Sequence, residues 1–253
     1  MSVPAPEIRF DRHGSIASVF IDGVEQSRVD LEHPDQLQFE YMEQMDVVLN
    51  LAHPAPTPIK AAHIGGCGCA LAWAWQVQRP DSRQLAVEVD EYLATQARTW
   101  FPLPRKPLLR IRAGEGREVL SSSQAHFQVI VRDAFASRTV PAHLQTVEWD
   151  RVVSAHLAPT GLYLANAAHG GGSNARGDVA AARQEFGQVV LIGESKVLKG
   201  ARWGNLVLAA WQESQLIDVA ELDRRLRRLP LPVQVLSGAE LDRWLGGHPP
   251  ATD

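Results

Sequence analysis

Three closely spaced glycines follow a short apolar run near the middle of the chain. Gly65, Gly66 and Gly68 come directly after the strand-like segment Lys60–Ile64 and before a segment of helical character at 70–78. A strand that ends at glycines and leads into a helix can seat a ligand against exposed backbone N–H groups. Gly65 and Gly66 would permit the sharp turn, and Gly68 would let the helix pack closely.

Acidic residues stand at the ends of the next predicted strands. Glu88 lies 20 residues after Gly68, where doubly wound folds place a carboxylate that accepts both ribose hydroxyls. Glu115 follows the third strand and is placed to accept a hydrogen bond from an adenine amino group, and Asp133 ends the fourth strand. Because the carboxyl ends of parallel strands meet at one edge of a sheet, these residues predict an adenosine-shaped site.

Other site chemistries are less well supported by the residues. The wider G-x-G-x-x-G pattern of dinucleotide sites is absent, since positions 70 and 71 are Ala70 and Leu71. No Ser/His/Asp arrangement, P-loop or metal-ligand spacing stands out, and we expect no metal. Cys67 and Cys69 are too close for an unstrained disulfide and too few for a zinc site, so we expect them to pack a turn.

The elements that must position these residues alternate between strands and helices. This alternation predicts an α/β fold with right-handed crossovers and helices on both faces of a mostly parallel sheet. We predict strands at 60–64, 84–89, 108–113, 126–131, 161–166, 188–193 and 205–211, and helices at 37–51, 70–78, 91–101, 175–186 and 218–229.

The N-terminal part has a different rhythm. Short apolar runs at 7–31 are separated by turn signals at 11–14 and 22–23, which predicts a small antiparallel β unit. We therefore divide the chain into a β unit at 1–33, a nucleoside-binding domain at 34–247 and a disordered tail at 248–253.

Composition and charge favour an ordinary globular protein. Hydrophobic residues make up 45% and charged residues 21% of the 253, and the net charge is −4, which argues against nucleic acid as a partner. No apolar run reaches the roughly 18 residues that a membrane helix needs, and the first residues lack the apolar centre of a signal peptide. We expect a cytoplasmic protein with no membrane partner.

Several segments, in order, resemble the spermidine synthase (polyamine aminopropyltransferase) family, in particular its shorter, divergent bacterial members. The resemblance covers about residues 20 to 210, and no single motif carries it alone. It rests on IDGVEQS at 21–27, LQFEYMEQM at 37–45, HPAPTPIKAAHIGGCG at 53–68, VEVD at 87–90, AGEG at 113–116, VIVRDAF at 129–135 and LKGARWGNLVL at 198–208.

The resemblance implies a Rossmann-like core with a sheet of the S-adenosylmethionine-methyltransferase type, a small N-terminal β domain and a homodimer. It implies transfer of an aminopropyl group from decarboxylated S-adenosylmethionine, a co-substrate rather than a permanent cofactor, to a diamine such as putrescine. By carry-over, Glu88 would bind the ribose and Glu115 the adenine. Gln26 and Tyr41 would line the junction of the donor tail and the amine pocket, with Asp133 beside them as the candidate base.

At two positions where the family usually has an acidic residue, this chain has none. The glycine loop of the family usually carries an aspartate where this chain has Gly68, and the second aspartate of its catalytic loop is replaced by Ala136. Loss of the acid at Gly68 could admit intact S-adenosylmethionine. Asp133 could still act as the base, as could Glu40 or Glu43 if their helix turned them inward.

Two further functions stay open. One is an S-adenosylmethionine-dependent methyltransferase with another acceptor, and the second is a dimeric nucleoside-binding scaffold without catalysis. Arg132, next to the candidate base, could pair with an acid or with a substrate carboxylate, and the ion pair is the expected role.

Overall fold

The structure is a computed structural model that describes residues 6–66 and 68–253. A small antiparallel sheet comes first along the chain. Its strands β1 (Glu7–Phe10), β2 (Ile16–Ile21) and β3 (Val24–Asp30) pair in that order. Asp22 and Gly23 both have positive φ in the two-residue turn between β2 and β3, a backbone that suits the right-handed twist of a hairpin. The predicted N-terminal β unit is confirmed.

The central sheet has eight strands in the order β11-β9-β10-β8-β7-β4-β5-β6. Strands β4 to β8 are mutually parallel, whereas β10 runs antiparallel to both of its neighbours and β11 runs antiparallel to β9. The strands are β4 (Lys60–Ile64), β5 (Arg83–Glu88), β6 (Leu109–Ala113), β7 (Phe127–Arg132), β8 (Leu157–His169), β9 (Gln188–Gly193), β10 (Gly204–Trp211) and β11 (Gln234–Ser237).

Helices cover both faces of this sheet. Successive strand residues face opposite sides, so Val129 and Val131 belong to one apolar cluster and Ile130 to the other. No described helix is both long and apolar enough to cross a bilayer. The helices are α1 (Glu40–Ala52), α2 (Ala70–Gln78), α3 (Glu91–Trp100), α4 (Gly116–Ser121), α5 (Val147–His156), α6 (Arg176–Glu185), α7 (Ser195–Leu198), α8 (Val219–Leu226) and α9 (Gly238–Leu245).

The order of the strands defines where a ligand can bind. From β4 the chain continues through β5 and β6 on one side and then crosses to β7 and β8 on the other. The first helices on the two sides therefore diverge beside the carboxyl end of β4 and leave a crevice there. This arrangement confirms the predicted α/β class.

The small sheet packs against helices of the larger unit. Val19 and Val29 are buried in the same apolar cluster as Met45 of α1. The domain boundary at residues 33 and 34 stays a prediction. The tail differs from expectation, because the carbonyl of Ala251 accepts a hydrogen bond from the N–H of Val147 at 2.9 Å. Because this hydrogen bond holds the tail against α5, the expectation of disorder at 248–253 is wrong.

Candidate functional site

The glycine turn after β4 joins two strand ends. Gly65 has a φ of +88°, a left-handed conformation that favours glycine, and its N–H donates to the carbonyl of Val87 at 2.9 Å. A Cβ at this position would overlap the backbone carbonyl of Asp133 and lie 2.8 Å from the Cα of Ala134. Only glycine lets the ends of β4 and β7 approach this closely.

Glu88 fixes the turn from the neighbouring strand. Its side chain stands at the end of β5, and the residue is only 9% exposed. One carboxylate oxygen accepts the N–H of Gly66 at 3.1 Å and the other accepts the N–H of Asp90 at 3.1 Å. The predicted neighbourhood of the glycines and Glu88 is therefore present.

Glu115 begins helix α4 and carries a histidine partner. Its Oε2 accepts the N–H of Glu118 at 2.8 Å, and its Oε1 lies 3.0 Å from Nε2 of His143. Burial acts to raise the pKa of Glu115, but hydrogen bonds from the N–H of Arg117, from His143 and from the N–H of Glu118 outweigh it. The pKa of Glu115 lies below its ordinary value, and the group is a carboxylate at neutral pH.

Asp133 is held by two side chains from different elements. Tyr41 of α1 donates its hydroxyl to Oδ2 at 2.8 Å, and Asn166 of β8 donates its amide N–H to Oδ1 at 2.9 Å. Burial raises the pKa of Asp133, and the two hydrogen bonds and the nearby charge of Arg132 only partly oppose this. A carboxylate with a raised pKa is a stronger proton acceptor than an ordinary aspartate.

Arg132 faces away from Asp133, as alternation along a strand requires. Its guanidinium donates to Asp178 at 2.7 Å, and neither side chain is exposed. It also donates to the carbonyl of Leu144 at 2.7 Å. Arg132 therefore forms the expected ion pair and is not available to a substrate.

One cavity of about 280 Å³ collects every predicted site residue except Gly68. It lies at the crevice beside β4, and β3 and α1 close it from the side of the small sheet. Neither Glu40 nor Glu43 lines it, so the structure gives no support to these two as bases. The predicted residues in its wall are Gln26, Tyr41, Gly65, Gly66, Glu88, Glu115 and Asp133.

The two positions that lack acids differ in their surroundings. Gly68 is buried outside the cavity wall, and a Cβ there would overlap the side chain of Ser27 and lie 3.0 Å from Phe101. Ala136, in contrast, is exposed and lines the cavity. A side chain longer than a methyl group has room at position 136 and none at position 68.

Only one of the two cysteines can be compared with its predicted packing role. Cys69 is buried at the start of α2, and burial raises the pKa of its thiol to about 12, so the thiol is unreactive at neutral pH. Cys67 lies outside the described residues. Among residues 6–66 and 68–253, no group of histidines, cysteines and acids is arranged to hold a metal ion.

The cavity wall contains many residues outside the predicted set, and five of them bear on the chemistry of the site. Trp203 and Asn205 arrive at the start of β10, which lies at the carboxyl edge because β10 runs against its parallel neighbours. Asn166 is polar at the end of an otherwise apolar predicted strand, a signal that sequence reasoning missed. The remaining two, Glu25 and Arg138, carry charge, and nothing in their local sequence marks them.

Two curated proteins that share one name are similar to this chain in sequence. No family model matches the chain. The polyamine aminopropyltransferases of Neisseria meningitidis serogroups A and B are each 26% identical to it over 163 residues. The match covers 64% of this chain and 61% of each relative, so it spans less than two thirds of their length.

Comparison with solved structures gives a fuller match. A probable spermidine synthase from Corynebacterium glutamicum is 29% identical, with a TM-score of 0.88 over 98% of this chain and 92% of that one.

Two more distant structures show the fold alone. Human methyltransferase-like protein 13 in complex with SAH has a TM-score of 0.61 at 17% identity over 82% of this chain and 93% of that one. A spermidine synthase in complex with the transition-state analogue AdoDATO has a TM-score of 0.57 at 16% identity over 90% and 76%. The predicted methyltransferase-type sheet is confirmed, and in sequence and fold together the chain is similar to the probable spermidine synthase of Corynebacterium glutamicum.

Proposed function

We propose that the chain is a spermidine synthase-like aminopropyltransferase, which moves an aminopropyl group from decarboxylated S-adenosylmethionine to a diamine such as putrescine. The observation that carries this proposal is a single cavity with nucleoside-type groups and a candidate base. Its wall contains Gly65, Gly66, Glu88 and Glu115 together with the hydrogen-bonded Tyr41–Asp133 pair. The likeness to the probable spermidine synthase of Corynebacterium glutamicum supports the same reaction.

The nucleoside would bind at the ends of β4, β5 and β6. Each oxygen of a carboxylate has more than one lone pair, so Glu88 can accept from ribose hydroxyls while it holds the glycine turn. Glu115 is ionised and would accept from the adenine amino group, beside His143. The backbone of Gly65 and Gly66 lets the sugar approach the sheet closely.

Transfer needs an acceptor amine without its extra proton, because an ammonium has no lone pair. The amine nitrogen attacks the carbon bonded to the sulfonium, a new C–N bond forms, and the C–S bond breaks with its electron pair moving to sulfur. The nucleoside leaves as neutral methylthioadenosine. The nitrogen gives up one proton, which Asp133 would accept, while Tyr41 and Asn166 hold the carboxylate in place. Gln26 would line the junction of the donor tail and the amine.

The charge of the cavity suits cationic substrates. Four acids line it, and a sulfonium and an ammonium are both positively charged. Acidic walls raise the local concentration of cations and stabilise positive charge near the reacting atoms. The four acids are Glu25, Glu88, Glu115 and Asp133.

We also propose that the chain acts as a homodimer in the cytoplasm, as the family resemblance implies. An apolar side chain on the outer strand of the small sheet is in keeping with association, since Phe10 of β1 is 55% exposed. Light scattering after size exclusion should give twice the mass of the chain. A single-chain mass at every concentration would contradict the dimer.

The reaction is tested by incubating the protein with decarboxylated S-adenosylmethionine and putrescine. We expect spermidine and methylthioadenosine in equal amounts by mass spectrometry, and binding of methylthioadenosine by calorimetry. Binding without product would favour the nucleoside-binding scaffold, and a methylated acceptor formed from S-adenosylmethionine would favour the methyltransferase. Absence of any nucleoside binding would refute the proposal.

A further inference from the structure

One basic side chain interrupts the acidic wall of the cavity. Among the described wall residues, Arg138 is the one lysine or arginine. Its guanidinium carbon lies 5.0 Å from the ring centroid of Trp203, which also lines the cavity. This distance is that of a cation–π contact, in which the aromatic ring limits the orientations of the guanidinium.

The loop that carries Arg138 is a tight turn after the candidate base. The N–H of Ala136 donates to the carbonyl of Thr139 at 2.8 Å, and the reverse bond measures 3.3 Å. Ser137 has a φ of +60°, in the left-handed region that non-glycine residues seldom adopt. The turn therefore keeps Arg138 near the candidate base Asp133, at the end of the cavity where transfer would occur.

Arg138 differs from other arginines around the site in its lack of an acidic partner. Arg132 is paired with Asp178 and Arg117 with Asp253, each at 2.7 Å. Within residues 6–66 and 68–253, Arg138 has no carboxylate at ion-pair distance and no hydrogen bond. Its aromatic contact leaves the N–H groups of the guanidinium open to a ligand.

The chemistry of this group does not match a substrate that is only cationic. A guanidinium repels an ammonium, and it pairs best with a carboxylate through two parallel hydrogen bonds. The neighbouring position that could have held an acid for an ammonium is Ala136, whose methyl group binds neither charge.

We propose that the cavity takes a substrate that carries a carboxylate, and that Arg138 binds this carboxylate. The inference rests on the proposed function: it keeps the alkyl transfer and the site, and it replaces one of the two substrates named there by its carboxylate-bearing counterpart. The carboxylate can belong to the tail of the donor, as in intact S-adenosylmethionine, or to an amino-acid acceptor such as ornithine in place of its decarboxylated counterpart, putrescine. Both sources share the same chemistry, and one set of titrations separates them.

The test measures binding to the full chain and to three variants by calorimetry. Arg138→Gln removes the charge, Arg138→Lys keeps the charge without the planar fork, and Arg110→Gln is a matched control at an exposed arginine outside the cavity. The probes are methylthioadenosine, S-adenosylmethionine and its decarboxylated form. Ornithine and putrescine are each titrated in the presence of methylthioadenosine.

We expect Arg138→Gln to weaken binding of one carboxylate-bearing probe roughly tenfold or more, as for loss of a charge-assisted pair. The affinity of Arg138→Gln for the decarboxylated counterpart and for methylthioadenosine should stay within about twofold of the parent value. The affinity of Arg138→Lys for the carboxylate-bearing probe should lie between those of the parent chain and Arg138→Gln, and Arg110→Gln should bind every probe as the parent chain does. Loss for S-adenosylmethionine would place the carboxylate on the donor, and loss for ornithine would place it on the acceptor.

Three results would overturn the inference while the proposed function stood. They are unchanged binding of both carboxylate probes to Arg138→Gln, an equal loss for all five probes, and a parent chain that binds methylthioadenosine but neither carboxylate probe. A parent chain that binds no methylthioadenosine would instead refute the proposed function, and the inference with it.

Discussion

The two ends of the cavity are built in different ways. At the proposed nucleoside end, the carboxylate of Glu88 accepts the backbone N–H groups of Gly66 and Asp90, and Glu115 is the N-cap of α4. At the proposed reaction end, the carboxylate of Asp133 is held by side chains, from Tyr41 and Asn166.

This contrast indicates which part of the site can change. Groups fixed by backbone hydrogen bonds move only if the sheet edge moves, so the nucleoside end tolerates little variation. Side chains on the turn after β7 can be exchanged without disturbing a strand, and there an alanine and an arginine occupy Ala136 and Arg138. Substrate specificity can therefore vary at one end of the cavity while the nucleoside site is retained.

The largest effect is expected from the reaction end. Asp133→Asn keeps the shape of the side chain and removes the proton acceptor, so aminopropyl transfer should fall about 10²- to 10⁴-fold. Binding of methylthioadenosine should change little, because Asp133 contributes no contact to the nucleoside. A comparable fall in methylthioadenosine affinity would mean that the two ends are not separate.

Glu88→Ala tests the nucleoside end. Loss of charged hydrogen bonds to the ribose should weaken methylthioadenosine binding about 100-fold by calorimetry. Glu91→Ala, at an exposed acid of α3, is the matched control and should leave affinity unchanged. Unchanged affinity in Glu88→Ala, with the thermal midpoint also unchanged, would contradict the ribose assignment.

Gly68→Asp asks whether the lost acid can be restored inside the packed turn. Because Ser27 and Phe101 fill the space beside Gly68, we expect overpacking to cost about 1–3 kcal/mol of unfolding free energy. That cost would lower the thermal midpoint by about 2–4 °C for each kcal/mol in a chain of this size. A variant as stable as the parent, with raised activity, would show that the turn can open.

Ala136→Asp is the complementary test at the open position. The new carboxylate would lie in the cavity wall beside the candidate base, so aminopropyl transfer to putrescine should rise by about tenfold. Stability should be close to that of the parent, since Ala136 is exposed. No gain in rate would indicate that missing acid chemistry does not limit transfer.

Tyr41→Phe should give the smallest effect, which is a shift in pH dependence. Burial raises the pKa of Asp133, so transfer should increase as pH rises through that pKa and the carboxyl ionises. The Tyr41 hydroxyl stabilises the carboxylate and lowers its pKa. Without it the pKa rises further, and the acidic limb of the rate profile should move to higher pH. A limb that moves to lower pH, or not at all, would contradict this role.

The sequence predicted the parallel half of the fold well. Strand β4 and helix α2 have the predicted limits, because an apolar run that ends at glycines leaves little freedom in where the strand stops. Helix α1 begins at residue 40 rather than 37. Helices α4, α5, α7 and α9 and strand β11 were not predicted. Helices α4 and α7 and strand β11 have too few residues to show a periodic pattern, whereas α5 has ten residues and was missed.

The structure brings into one cavity wall those predicted site residues that end parallel strands. Glu88, Glu115 and Asp133 follow directly from the rule that the carboxyl ends of parallel strands meet at one edge of a sheet. Trp203 does not follow from this rule. It lies at the start of an antiparallel strand, which reaches the same edge of the sheet, and the sequence of a strand does not show in which direction the strand runs. Arg138 was missed because its contact with Trp203 joins segments about 65 residues apart, and nothing in local sequence reports such a contact.

The close approach of Gly65 to the backbone of Asp133 has a consequence for how such a protein can diverge. Any side chain at position 65 would push the two strand ends apart, and the proposed donor site and the candidate base would lose their alignment in one step. New chemistry can therefore arise by exchanging groups on the turn at 136–139, but not by remodelling the junction of β4 and β7, which fixes the proposed donor site and the candidate base relative to each other.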